Sequence, residues 1–285
     1  MENTLLSLFI KCFRKDPKPF NEGFLPVGDG HEIHYMEFGN PKGIPLLQFH
    51  GGPGGSCRSA QASAYDLSAY HIILFSQRGC GQSRYTDLLK NNTSYEAVSD
   101  AEKLLALLVP NQKVIVAGGS YGSTLALLFA EKNPKLVKAL VLKSVFLARK
   151  TDLDWTDETS ALFYPDLMAE MKSVLKPTEN LLDGYARLLF SGNYEQMKTA
   201  MQYYGAYERC LGKVNPAFKP VTALYDNSVN SLKIALEYER NGMFLKENEL
   251  LKNIGKIMHI PTMIVHNRLD MKCPASTAYD LYSDV

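Results

Sequence analysis

Charge of either sign is not in excess in this chain: 31 lysines and arginines face 30 aspartates and glutamates, a net charge of +1. That balance removes the electrostatic case for nucleic acid or an anionic membrane as a partner. No Lys/Arg cluster is interleaved with aromatics. Cysteine is scarce and badly spaced for structural work. The five (Cys12, Cys57, Cys80, Cys210 and Cys273) are odd in number, with no C-x-x-C pair and no Cys/His ligand pattern. This argues against a disulfide framework and against structural zinc, and it favours free thiols in a reducing, cytoplasmic setting. The apolar stretch Thr4–Ile10 covers only about two helical turns, too short to span a bilayer. It lacks a basic leader and a small-residue cleavage site, so it reads as a short docked helix rather than a signal peptide. No Walker lysine follows the glycine-rich run His50-Gly51-Gly52-Pro53-Gly54-Gly55, which weakens a phosphate-cradle reading. No cofactor or metal is expected.

What is present is a chain of 285 residues with 46% hydrophobic content, enough for one large α/β domain with an insertion. Short continuous apolar runs at 44–49, 71–75, 113–117 and 138–142 alternate with helical stretches in the first half, and a further run follows at 261–266. Such runs are the mark of a mostly parallel, doubly wound sheet covered on both faces. A hairpin is expected at 23–38, turning at Gly28-Asp29-Gly30. From about 148 to 245 the strand-like runs vanish, and aromatics and methionines recur at helical spacing. That segment reads as a helical cap, with 1–147 and 246–285 forming the core.

Gly118-Gly119-Ser120-Tyr121-Gly122 is a G-x-S-x-G between a β-like run and the helix-like run Ser123–Ala130. Strand, sharp turn and helix are the context in which that motif places a nucleophilic serine. The flanking glycines are required because side chains there would collide as the strand turns. Ser120 is therefore the candidate nucleophile. The oxyanion it would generate needs N–H donors already aimed at it. Tyr121 supplies one, and Gly52 is the best candidate for the other, since Pro53 has no N–H. His50 precedes the serine and reads as a structural loop residue. Asp270 follows the strand-like run 261–266, where the acid that orients a catalytic histidine belongs. A serine hydrolase of this kind runs Ser…Asp…His along the chain. Only 15 residues follow Asp270, and none is histidine.

These segments resemble the proline iminopeptidases (prolyl aminopeptidases) of the α/β-hydrolase superfamily. The resemblance is carried by Pro19–Leu25, Asp29-Gly30-His31, the HGGPGGSC loop at 50–57, Gln77–Ser83, Gly118–Ser123, Ala206-Tyr207-Glu208, Asn241–Phe244 and Pro261–Pro274. It implies an α/β-hydrolase fold and release of N-terminal proline from short peptides. It matches Ser120 to the nucleophile, Asp270 to the acid and Glu208 to a cap glutamate that pairs with the substrate's free amine. Gly51 joins the substrate-binding set. The chain departs from the family pattern at Ser76, where aspartate is usual, and at Tyr121, where tryptophan is usual and a changed pocket wall is expected. A second amine-binding glutamate falls by strict spacing on Ala235, with Glu237 and Glu239 nearby. The family's histidine lies beyond the acid, so the expectation is that the general base, with the last strand and helix, lies outside these 285 residues. Another capped esterase or amidase, or a non-catalytic short form, are the alternative readings.

Overall fold

A computed structural model describes residues 16–211 and 221–284. Thr4–Ile10 and Cys12 lie outside the described residues. The first two strands, β1 (Asn21–Gly28) and β2 (His31–Gly39), form the expected antiparallel hairpin. Asp29 and Gly30 turn it with positive φ of 55° and 81°. The next strands are β3 (Ile44–Phe49), β4 (Tyr70–Phe75), the two-residue β5 (Arg84–Tyr85), β6 (Val114–Ser120), β7 (Val137–Val145) and β8 (Thr262–Val265). All join one sheet in the order β1-β2-β4-β3-β6-β7-β8, with β5 paired to β2. From β4 to β8 every neighbouring pair is parallel. The chain leaves β3 for β4 on one side and returns to β6 on the other. The carboxyl ends of β3 and β6 thus open a crevice at the point where the order reverses, the usual place for a site in such sheets.

Helix α1 (Ser94–Leu108) starts where Thr93 accepts the Glu96 N–H, and it turns Ala97, Val98, Ala101, Leu104 and Leu105 inward. Helix α2 (Tyr121–Lys132) is buried on nearly every side, so it shows almost no polar face. Between β7 and β8 the described chain is helices joined by loops, with no strand among the described residues. Its longer members are α3 (Lys150–Asp154), α4 (Pro165–Ser173), α5 (Leu181–Leu189), α6 (Tyr194–Cys210) and α7 (Asp226–Arg240). Then come α8 (Glu249–Asn253) and, after β8, α9 (Ala275–Asp284). The helical segment has its own apolar cluster, with Met168, Met171, Tyr185, Leu189, Tyr204 and Tyr207 at its centre. Phe163 and Phe190, on the same helical spacing, are exposed instead. Each sits at a helix end, where the inward stripe has run out. Helix α7 belongs to both cores: Leu232 and Leu236 pack in the helical cluster, Ile234 and Tyr238 in the sheet cluster.

Arg78, in the loop after β4, is the main buried cation. Its Nε and Nη2 donate to both oxygens of Asp100 at 2.7 and 2.9 Å, and it also reaches Glu96, Asp29 and the Asn91 carbonyl. Arg78 and Asp100 are each 1% exposed, so each depends on the other for its missing hydration. Asp100→Asn removes the buried carboxylate of this network and leaves the guanidinium with the more exposed Glu96 and Asp29. It should cost about 3–5 kcal/mol of stability, read as a lower urea midpoint at unchanged m-value.

Glu131 is the opposite case. Both carboxylate oxygens are buried without a hydrogen-bond partner among the described residues, and burial pushes its pKa from 4.5 to about 8. Between those two values the unfolded chain releases the proton and the folded chain keeps it. This group's contribution is therefore greatest below pH 4.5 and declines as the pH rises towards 8, by at most about 1.4 kcal/mol per pH unit. Glu131→Gln should flatten that slope, seen by comparing urea midpoints of the two proteins from pH 5 to pH 8.

Candidate active site

Ser120 ends β6 and precedes α2 with φ 55° and ψ −132°, a backbone region that an L residue enters only under constraint. The constraint is visible at the glycines. A Cβ on Gly118 would stand 2.0 Å from the Gly122 carbonyl oxygen, and one on Gly122 would stand 2.5 Å from that of Phe49. The turn is closed further by Ser123, whose Oγ donates to the Ser120 carbonyl at 2.6 Å and accepts the Phe146 N–H at 3.0 Å. Thr124 donates to the Phe146 carbonyl at 2.7 Å. One helical turn thereby holds both Ser120 and the wall residue Phe146.

Ser120 opens into a narrow cavity of about 70 Å³ lined by Gly52, Pro53, Phe146, Leu153, Met243, Cys273, Glu208, Glu239 and Lys272 among others. A wider groove of about 590 Å³ shares Ser120, Gly52, Glu208, Glu239 and Lys272 and runs out past Gly54, Arg58 and Arg209. The glycine-rich loop is pinned from the helical side, where Ser231 Oγ of α7 donates to the Gly54 carbonyl at 2.6 Å. Helix α7 also carries Glu239, which accepts the Tyr204 hydroxyl proton. Glu237 points elsewhere, into a polar hollow of about 990 Å³ with Glu179, Asp183 and Arg240. Of the two glutamates left open by spacing, Glu239 is the one beside Ser120. Ala235, where strict spacing lands, lines the outer groove.

Asp270 sits in the turn after β8. Its Oδ1 accepts the N–H groups of Lys272 and Cys273, both at 3.0 Å. The Cys273 side chain reaches from that turn towards Ser120, with Sγ 3.8 Å from Ser120 Oγ. Burial pushes the Cys273 thiol up to about 12, so it remains protonated. Trp155 Nε1 donates to the Met271 carbonyl at 2.9 Å and ties the helical segment to this turn.

Two placements differ from expectation, and two cavity residues were not anticipated. The Tyr121 side chain is no pocket wall. It is fully buried beneath the elbow, bonded to Ser94 Oγ at 2.8 Å and edge-on to Tyr238. Gly51 lies against Gly119 but lines a separate hollow behind the elbow with Gln48, Tyr65 and Lys143. Lys272 and Cys273, both in the cavity wall, had only their nearness to Asp270 in the chain to signal them.

None of the six histidines stands between Ser120 and Asp270. His50 is buried, accepts the Gln77 N–H on Nε2 and donates from Nδ1 to the Gly51 carbonyl. Burial lowers its pKa to about 4, so it is a neutral strut. His266 accepts the Val145 N–H on Nδ1 and donates from Nε2 to the Cys273 carbonyl. His31, His34 and His71 are held by Lys90, Glu22 and Glu37 on the β1–β2 side of the sheet. His259 precedes β8, at the opposite end of that strand from Asp270.

A mostly parallel sheet with its serine on this elbow defines an α/β hydrolase, and a model of the alpha/beta hydrolase fold family matches residues 44–284. The chain is 35% identical to a proline iminopeptidase of Arabidopsis thaliana over 93% of its own length and 71% of that protein's. It is 36% identical to one from Neisseria meningitidis serogroup A, over 93% and 86%. The chain belongs to the proline iminopeptidase family. Among solved structures, an alpha/beta fold family hydrolase from Bacillus anthracis superposes with a TM-score of 0.58 at 16% identity, covering 93% of this chain and 88% of that one. At that identity the likeness concerns the fold alone.

The elbow's steric closure is directly testable. Gly118→Ala must force its Cβ into a backbone carbonyl and should cost roughly 3 kcal/mol or more, measured as a loss of unfolding free energy in urea.

Proposed function

We propose that this protein is a serine aminopeptidase that releases proline from the amino terminus of short peptides through an acyl-enzyme. The observation that carries the reading is the cavity at Ser120, which combines an apolar wall with two carboxylates, Glu208 and Glu239. A prolyl residue needs both features. Its ring is apolar, and its secondary amine is an ammonium at neutral pH. Phe146, Leu153 and Met243 suit the ring, and a carboxylate in a partly desolvated cavity suits the cation. The helical segment 148–245 serves as the cap that brings Glu208 and Glu239 over the sheet. The remaining peptide would leave along the groove past Gly54.

In this reading Ser120 Oγ attacks the prolyl carbonyl, and the oxyanion is held by the N–H groups of Tyr121 and Gly52. The amine departs, and water then releases proline from the ester. Asp270, in the turn beside Cys273, is the acid that would orient and stabilise an imidazolium. Every histidine of the 285 residues is engaged or placed elsewhere, so none of the six is proposed as the base. Among the described residues no helix is long and apolar enough to cross a membrane.

Two measurements test the reading. Without an imidazole bridge only the oxyanion hole and binding remain, so the 285-residue chain should turn over prolyl-2-naphthylamide roughly 10⁴–10⁶ times more slowly than a complete triad does. Added imidazole should restore part of the rate, and Ser120→Ala should abolish that rescue. Second, under rescue conditions Glu208→Gln should lower kcat/KM on prolyl-2-naphthylamide by roughly 10- to 100-fold, the loss of a charge-assisted hydrogen bond. N-acetylated prolyl esters, which carry no ammonium, should change little. Equal loss on both substrates would reduce Glu208 to a support of the cap.

A further inference from the structure

Lys272 stands inside this site and takes no part in the chemistry above. Its Nζ lies 2.7 Å from Glu208 Oε2. Its main-chain N–H is held by Asp270, so the base of the side chain is anchored in the acid's turn. The far end borders both the narrow cavity and the open groove. Burial alone would lower its pKa, but Glu208 and, further off, Glu239 outweigh burial and raise it. The side chain therefore carries a full charge at neutral pH. It is 39% exposed, which leaves the ammonium a path outward along the groove.

The position and chemistry of that ammonium matter. An ammonium against the Glu208 carboxylate is what a substrate's α-amine would provide on the reading proposed above, and this inference rests on that reading. We propose that Lys272 is a tethered competitor for the amine site, and that a substrate binds by displacing its Nζ from Glu208 into the groove. A tethered group competes at an effective concentration set by its short linker, in the millimolar range or higher. A small amine that offers only one charge contact would then be held weakly. A prolyl residue also fills the apolar wall and places its carbonyl at Ser120, so it supplies the additional binding needed to move Lys272 aside. The lysine thus sets a threshold: it selects an amine attached to a ring and an acyl group over a bare cation. It also keeps Glu208 neutralised while the site is empty.

The probe is pyrrolidinium, the ring and charge of proline without its carbonyl, with binding followed by titration calorimetry so that no turnover is needed. Lys272→Met keeps the length of the side chain and removes the charge. It should bind pyrrolidinium roughly tenfold tighter than the unaltered protein, the low end for a charge-assisted hydrogen bond made available. Lys272→Arg should leave binding as weak as in the unaltered protein. The double variant Lys272→Met/Glu208→Gln should lose the gain. If Lys272→Met binds no tighter while the double variant binds more weakly than it, Glu208 does read the amine but the competitor is refuted. In that case Lys272 merely positions the carboxylate. If the double variant keeps the tighter binding, the gain does not pass through Glu208, and the amine-site reading fails along with the proposal. Circular dichroism on each variant shows that the comparison is between folded proteins.

Discussion

The site depends on one steric constraint, the approach of the β6–α2 turn to its neighbours. The Gly118 and Gly122 positions have no room for a Cβ, and the price of that closeness is a serine at φ 55°. In return the serine side chain is aimed off the carboxyl edge of the sheet, above the crevice between β3 and β6. Nearby parts are arranged around the turn. The glycine-rich loop after β3 packs on it, Ser123 and Thr124 hold Phe146 beside it, and the loop after β8 brings Cys273 to its oxygen.

The second organising feature is how charge is handled away from water. In the sheet domain Arg78 gathers Asp100 and Glu96 from α1 and Asp29 from the hairpin turn. It joins the hairpin, α1 and the loop after β4 into one unit. In the cavity the balance differs: two carboxylates face one lysine. An excess of negative charge beside an apolar wall suits a cationic ring, and the existing Glu208–Lys272 pair keeps part of that charge compensated while nothing is bound. Helix α7 links these two regions mechanically. Its core-facing residues pack with the sheet, its cap-facing residues with the helical cluster, and Ser231 and Glu239 meet the site from the same helix.

Much of this architecture is local and was legible in the chain itself. Strands covered on both faces appear as continuous apolar runs; the runs at 44–49 and 71–75 became β3 and β4 with at most one residue's change. The elbow is local too, because the clash that demands glycine at 118 involves residue 122, four positions on. For the same reason the hairpin at Gly28-Asp29-Gly30 and the switch to helices after β7 could be read from pattern alone, and His50 could be set aside as a loop residue.

Tertiary structure decided whatever depends on the direction a side chain takes once helices pack. Glu237 and Glu239 are two positions apart on α7, about 200° around the helix axis, so only packing against both cores determines which one meets Ser120. Tyr121 had to turn inward, because α2 is enclosed on all sides and its first residue has Ser94 and Tyr238 waiting below. The pairing of Lys272 with Glu208 joins residues 64 positions apart, and no local pattern encodes it. The sequence by itself determined the sheet and the elbow that carries Ser120, since these follow from short-range sterics and periodic burial. The fold alone decided which charges share the cavity, because that depends on distances set by the packing of the helical segment onto the sheet.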